Sequence, residues 1–129
     1  MAKSFKQITR EAMAEVDGVP PVEMQQRMHR DANALLVDVR DAADIASTGL
    51  AAGAVNISLG MLPVRADLEL SEEVRDARLQ DRSRQIFTTC YAGPNGARAA
   101  LLLKEMGFTN VSYMDGGMVA WNAAGLPIE

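Results

Sequence analysis

Residues 85–114, QIFTTCYAGPNGARAALLLKEMGFTNVSYM, constrain the fold more than any other stretch of the chain. The runs at 85–89 and 110–114 are too brief for helices and rich in β-branched and aromatic residues, as strands are. Between them lies an apolar helix, expected to start near Ala97 and to stop at Gly107, a residue suited to a helix C-terminus. Two strands joined through a helix run parallel, because the crossover packs its apolar face back onto the sheet they share. The chain is therefore expected to be α/β, with a mostly parallel central sheet flanked by helices on both faces.

The rest of the sequence repeats that alternation. ALLVDVR at 34–40 is an almost continuous apolar run, as a strand buried on both faces requires. Residues 41–47 read as a short capped helix, 49–53 as a loop and AVNISL at 54–59 as another strand. Upstream, Phe5, Ile8, Ala12 and Val16 recur at helical spacing, GVPP ends that helix, and Pro21 opens a second over 21–30. Residues 64–83 are highly charged, and Leu68, Leu70, Val74 and Leu79 give only a partial apolar face, so helix with exposed connections is expected there. The tail carries a glycine turn at Gly116 and Gly117, a short helix holding Trp121 as a core anchor, and an exit through Gly125 and Pro127. The expectation is one structural domain, in which a helical segment at 1–33 packs on a body formed by 34–129.

Length and charge narrow the possible functions. The 129 residues, 48% of them hydrophobic and 23% charged, suffice for one core. A net charge of −4 offers no clustered cationic footprint for nucleic acid. No stretch approaches the ~20 apolar residues that cross a bilayer, and MAKSFKQITREAMAEV lacks the apolar centre of a signal peptide, so no membrane partner and a cytoplasmic location are expected. With one cysteine and one histidine, neither an internal disulfide nor a metal site is expected, and nothing in the chain calls for a cofactor.

That one cysteine, Cys90, follows its strand directly and opens the turn Tyr91, Ala92, Gly93, Pro94, Asn95, Gly96. In an open α/β sheet, sites lie at the carboxyl ends of the strands, which is where this turn falls. Glycines let successive amides converge on one point, and a helix N-terminus adds partial positive charge there, so an anion is stabilised and the cysteine is expected to react as a thiolate. No second cysteine exists to resolve an oxidised intermediate, which leaves one-cysteine covalent chemistry.

From about Ala34 to Ile128 the chain resembles the rhodanese family, through LLVDVRDAADI at 35–45, GLAAGAVNI at 49–57, TTCYAG at 88–93, and DGGMVAW with GLPIE at the end. The resemblance implies the rhodanese α/β domain and the activity of a single-domain sulfurtransferase. Cys90 then holds the sulfane sulfur as a persulfide, received from a small-molecule or protein donor and passed to a thiol or to cyanide. It also implies that Asp38 and Arg40 brace the loops, with Asp44 as a partner for Arg40. Met61, Met114 and Met118 fall in segments expected to give the site an apolar wall.

Two departures qualify that reading. Family loops usually read C-x-x-G-x-R-S, and here Asn95 and Gly96 stand in place of Arg and Ser, which predicts poorer use of anionic thiosulfate. Arg98, in the first turn of the helix, and Arg65, in GMLPVRAD, are the candidates to restore positive charge. Leu50, Ala51 and Ala52 stand where relatives often carry His-Ile-Pro. The rival readings are a catalytically weak binding or sulfur-carrier module, prompted by the lost Arg and Ser, and a cysteine phosphatase, disfavoured because C-x5-R is replaced here by C-x7-R.

Overall fold

Alternate residues of the central strands serve two different cores, and that division builds the layers. A computed structural model gives the structure of the chain and describes residues 2–129. In β2 (Leu35–Asp38), Leu35 and Val37 pack with Ile86, Ala99, Leu103 and Phe108, whereas Leu36 packs with Met24, Phe87, Met114 and Trp121. Because both faces are covered, the strand reads as an unbroken apolar run.

Five parallel strands form the sheet, in the order β1 (Asp17–Val19), β5 (Val111–Met114), β4 (Ile86–Thr89), β2 and β3 (Val55–Asn56). Helices α3 (Leu62–Ala66) and α4 (Pro94–Glu105) cover one face, with α1 (Phe5–Glu15) stacked on α4. The other face is covered by α2 (Pro21–Arg30) and α5 (Gly117–Ala123). Trp121 is fully buried in that second layer, the core anchor expected, and its indole N–H also ties the exit by donating to the Pro127 carbonyl at 3.0 Å. Among the described residues no helix is long and apolar enough to cross a membrane.

Several elements differ from the sequence reading. Residues 17–19, taken only as the end of a helix, form the edge strand β1 and pair in register with Ser112, Tyr113 and Met114. Three residues are too few for a period to show, and the pairing comes from β5, far along the chain. Strand β3 has two regular residues, although Ile57 and Leu59 still donate to the Asp38 and Val39 carbonyls at 3.0 Å, extending the contact of 54–59 with β2 as irregular backbone. Helix α4 begins at Pro94 rather than near Ala97, since a proline fits the first helical position without losing a hydrogen bond. Helix α1 buries Thr9 and Ala12 but leaves Phe5 and Ile8 exposed, because it rests on Ala97 and Ala100 of α4 through its small residues.

The charged stretch at 64–83 departs most. Only α3 and a three-residue 3-10 turn at Ala77–Leu79 are helical, and Leu68 and Leu70 stay exposed. Arginines bonded to main-chain carbonyls hold the segment together. Arg82 donates to Ala66, Leu79 and Met106 and stacks over the Phe108 ring, 4.4 Å from its centre. No periodic apolar face reveals such a tie in sequence. Replacing Arg82 with Met strands three partly buried carbonyls and removes the stacked cation, so Arg82→Met is expected to cost about 2 kcal/mol, read as a lower midpoint in urea denaturation.

Candidate active site

Cys90 stands one residue beyond the end of β4, at the carboxyl edge of the sheet, and is 4% exposed. Its sulfur accepts a hydrogen bond from the Gly93 amide at 3.1 Å, an interaction that stabilises negative charge on Sγ. Gly93 caps α4 with φ of +118°, a backbone region that favours glycine. The first turn of the twelve-residue α4, which carries the positive end of its dipole, therefore starts beside the cysteine.

Helix α5 holds this loop from below. Its Met118 and Val119 amides donate to the Cys90 and Tyr91 carbonyls at 2.9 and 3.0 Å. That approach needs Gly117, where a Cβ would stand 2.7 Å from both carbonyl oxygens. Gly96, the residue in place of the family's Ser, lies against β4, less tightly than Gly117 lies against the loop. A Cβ there would stand 3.3 Å from Thr89 Cα, and its carbonyl accepts from the Thr88 hydroxyl at 2.6 Å.

A cavity of about 550 Å³ opens in front of Cys90. Tyr91, Ala92, Pro94 and Asn95 of the loop line one side, and Val39 and Leu59 give it apolar walls. Phe5, brought across by α1, closes part of another side, while Asp41 and Asp44 place two carboxylates there. Arg40 also lines the cavity, but its charge is committed. The guanidinium pairs with the fully buried Asp38 carboxylate at 2.7 Å and reaches the Thr48 hydroxyl at 2.8 Å and the Gly49 carbonyl at 3.2 Å. Asp44 meets Arg40 through its main-chain carbonyl, at 3.3 Å, and not through its carboxylate.

Neither proposed cation borders this cavity. Arg98 donates to Asn95 Oδ1 at 3.0 Å and lies 6.0 Å from the Phe5 ring centre, on the side of α4 that faces α1. Arg65 lines a separate cavity and donates to the Val74 carbonyl at 2.7 Å. The methionine wall is also absent: Met114 and Met118 are fully buried beneath the sheet, and Met61 borders the Arg65 cavity. The 50–52 loop pairs with the C-terminus through Ala51 and Ile128 and does not line the cysteine cavity.

Sequence reading missed Phe5, Val39, Asp41 and Leu59. Asp41 had a signal, since it lies three residues beyond the end of β2, at the edge of the sheet where the site falls. Phe5 had none, because helical spacing assigned it to a core that α1 does not share.

Comparisons with known proteins agree with this architecture. The profile of the rhodanese-like domain matches residues 20–124. A sulfurtransferase of Allochromatium vinosum is 29% identical over 113 residues, covering 88% of this chain and 94% of that one. The thiosulfate sulfurtransferase GlpE of Actinobacillus succinogenes is 33% identical over 97 residues, covering 75% and 77%. Among solved structures, a protein of unknown function from Rhodopseudomonas palustris, described as a possible tyrosine phosphatase, superposes with a TM-score of 0.88 at 25% identity, covering 100% of this chain and 96% of its own.

The seat beneath the loop is open to test. Gly117→Ala puts a methyl group 2.7 Å from two carbonyl oxygens at a φ of +60°, so the variant is expected to lose about 2 kcal/mol or more of stability. The displaced loop should also change the rate at which Cys90 reacts with a chromogenic disulfide under conditions where the variant is folded.

Proposed function

The chain belongs to the rhodanese-like family, and from that membership we propose that it is a sulfurtransferase in which Cys90 carries sulfane sulfur as a persulfide. The observation that carries this reading is the setting of Sγ, which is buried, bonded by the Gly93 amide and open to a cavity at the carboxyl edge of the sheet. Relatives named sulfurtransferase support it. The Cys90 thiolate attacks the sulfane sulfur of a donor, the donor's S–S bond breaks, and its electron pair leaves with the departing thiolate. The transferred sulfur stays on Cys90 until a thiol or cyanide acceptor attacks it and returns the thiolate. Loop amides and the α4 N-terminus stabilise the negative charge that moves through both steps.

The lining of the cavity supports a narrower donor class than the family's. Arg40 is already neutralised by Asp38, Asn95 supplies no charge, and Asp41 and Asp44 add two carboxylates. A dianion such as thiosulfate meets repulsion there, so the donor is an organic or protein persulfide whose transferable sulfur is not held by an anionic group. Phosphate transfer has less support for the same reason. The arginine that follows the loop, Arg98, binds Asn95 and does not line the cavity.

Two measurements decide the matter. Intact-mass analysis after exposure to a low-molecular-weight organic persulfide should show one added sulfur atom on the protein and none on Cys90→Ser; equal labelling of both, or of neither, removes the proposal. Asn95→Arg, which restores a cation beside the cysteine, is expected to raise kcat/KM for thiosulfate about tenfold, equivalent to about 1.4 kcal/mol. An unchanged or lower value would mean that missing charge is not what limits thiosulfate use.

A further inference from the structure

A second cavity, of about 520 Å³, shares no lining residue with the first and has the opposite character. Arg65 from the end of α3 and Arg75 and Arg78 from the turn near 75–78 all border it, in a chain whose net charge is −4. Asp76 is the one carboxylate among its lining residues, and both Nε and a terminal nitrogen of Arg78 bond it, at 3.0 and 2.7 Å. The hydrogen-bonded Arg78 side chain holds the Asp76 carboxyl below its ordinary value, and Arg65 adds a smaller pull in the same direction. Asp76 therefore stays ionised through the neutral range and cancels one guanidinium. Glu72 approaches Arg75 at 3.6 Å but is 92% exposed, so water and salt screen that pair.

Two positive charges thus remain without a compensating charge in the cavity wall. Among the described residues Arg65 and Arg75 each donate one hydrogen bond to a main-chain carbonyl, and Arg75 has only the exposed Glu72 besides. Arg75 Nε is buried and has no hydrogen-bond partner among the described residues. Ser58 adds a hydroxyl to the same wall.

We propose that this cavity binds a small tetrahedral dianion, of the sulfate or phosphate type, independently of the chemistry at Cys90. A dianion matches the two uncompensated charges, and its several oxygens suit planar guanidinium forks that donate in pairs. A monoanion such as acetate satisfies half of that charge and is a poor ligand.

The test is a titration of the full chain, labelled with nitrogen-15, with sodium sulfate and separately with sodium phosphate, at ionic strength held constant with sodium chloride. The Arg75 Nε–H resonance should shift and saturate on the order of millimolar anion, whereas sodium acetate should give no saturable shift. Arg75→Gln should abolish saturation at the Arg65 and Arg78 resonances, and Arg78→Gln, on the exposed rim, should weaken it by several fold. The Cys90→Ser protein should titrate like the wild type, which separates this site from the sulfur-transfer reading. A shift that rises without saturating, or that saturates at the same concentration in Arg75→Gln, overturns the proposal.

Discussion

The buried ion pair between Asp38 and Arg40 is the interaction on which the cysteine cavity depends. Asp38 ends β2 with no exposed surface, so its carboxylate must be paired, and Arg40 is the residue that reaches it. The same guanidinium gathers the Asp44 and Gly49 carbonyls and the Thr48 hydroxyl, which fixes the 3-10 turn at 42–47 as one wall of the cavity. The consequence is electrostatic as well as structural. A cation that could have faced an anionic substrate is consumed by the fold, and Asp41 and Asp44 line the same cavity as the thiol.

The cysteine itself is positioned by close approach rather than by side-chain partners. Helix α5 donates to the loop's carbonyls from below and α4 starts immediately after it, both made possible by glycines at 93, 96 and 117. At Gly96 the fit is steric, since the first turn of α4 lies against β4 and a Cβ would press on Thr89 Cα, which would have to give by a few tenths of an ångström. The departure from Ser to Gly therefore fits a tighter seat of the helix on the strand. The departure from Arg to Asn has a different result, because Asn95 is taken up by Arg98, which in turn faces the ring of Phe5. Helix α1 is thereby connected to the cysteine loop through a short chain of side chains.

The two cavities divide the charge of the molecule between them. One joins a buried thiol to apolar walls and two carboxylates, and the other gathers three arginines around one carboxylate. Segment 57–61 contributes to both, through Leu59 on the first and Ile57, Ser58 and Met61 on the second. The two neighbouring surfaces therefore differ in the sign of the charge that lines them.

Sequence alone determined the α/β class, β2, β4, α4, β5 and the place of Cys90, because these rest on local periodicity and on a residue's position relative to its own strand. Strands buried on both faces and a strongly apolar crossover helix leave patterns that no distant residue is needed to complete. Only the tertiary structure decided that Asp17–Val19 is a strand, that 64–83 is tied by Arg82 rather than wound as a helix, and that Phe5 rather than any methionine walls the cysteine cavity. Tertiary contacts also sent Arg65 to a cavity of its own. In each of these cases the deciding partner lies outside the local helical or strand period, and a guanidinium or an edge strand takes whichever carbonyl the fold brings to it. Local sequence carries no record of that choice.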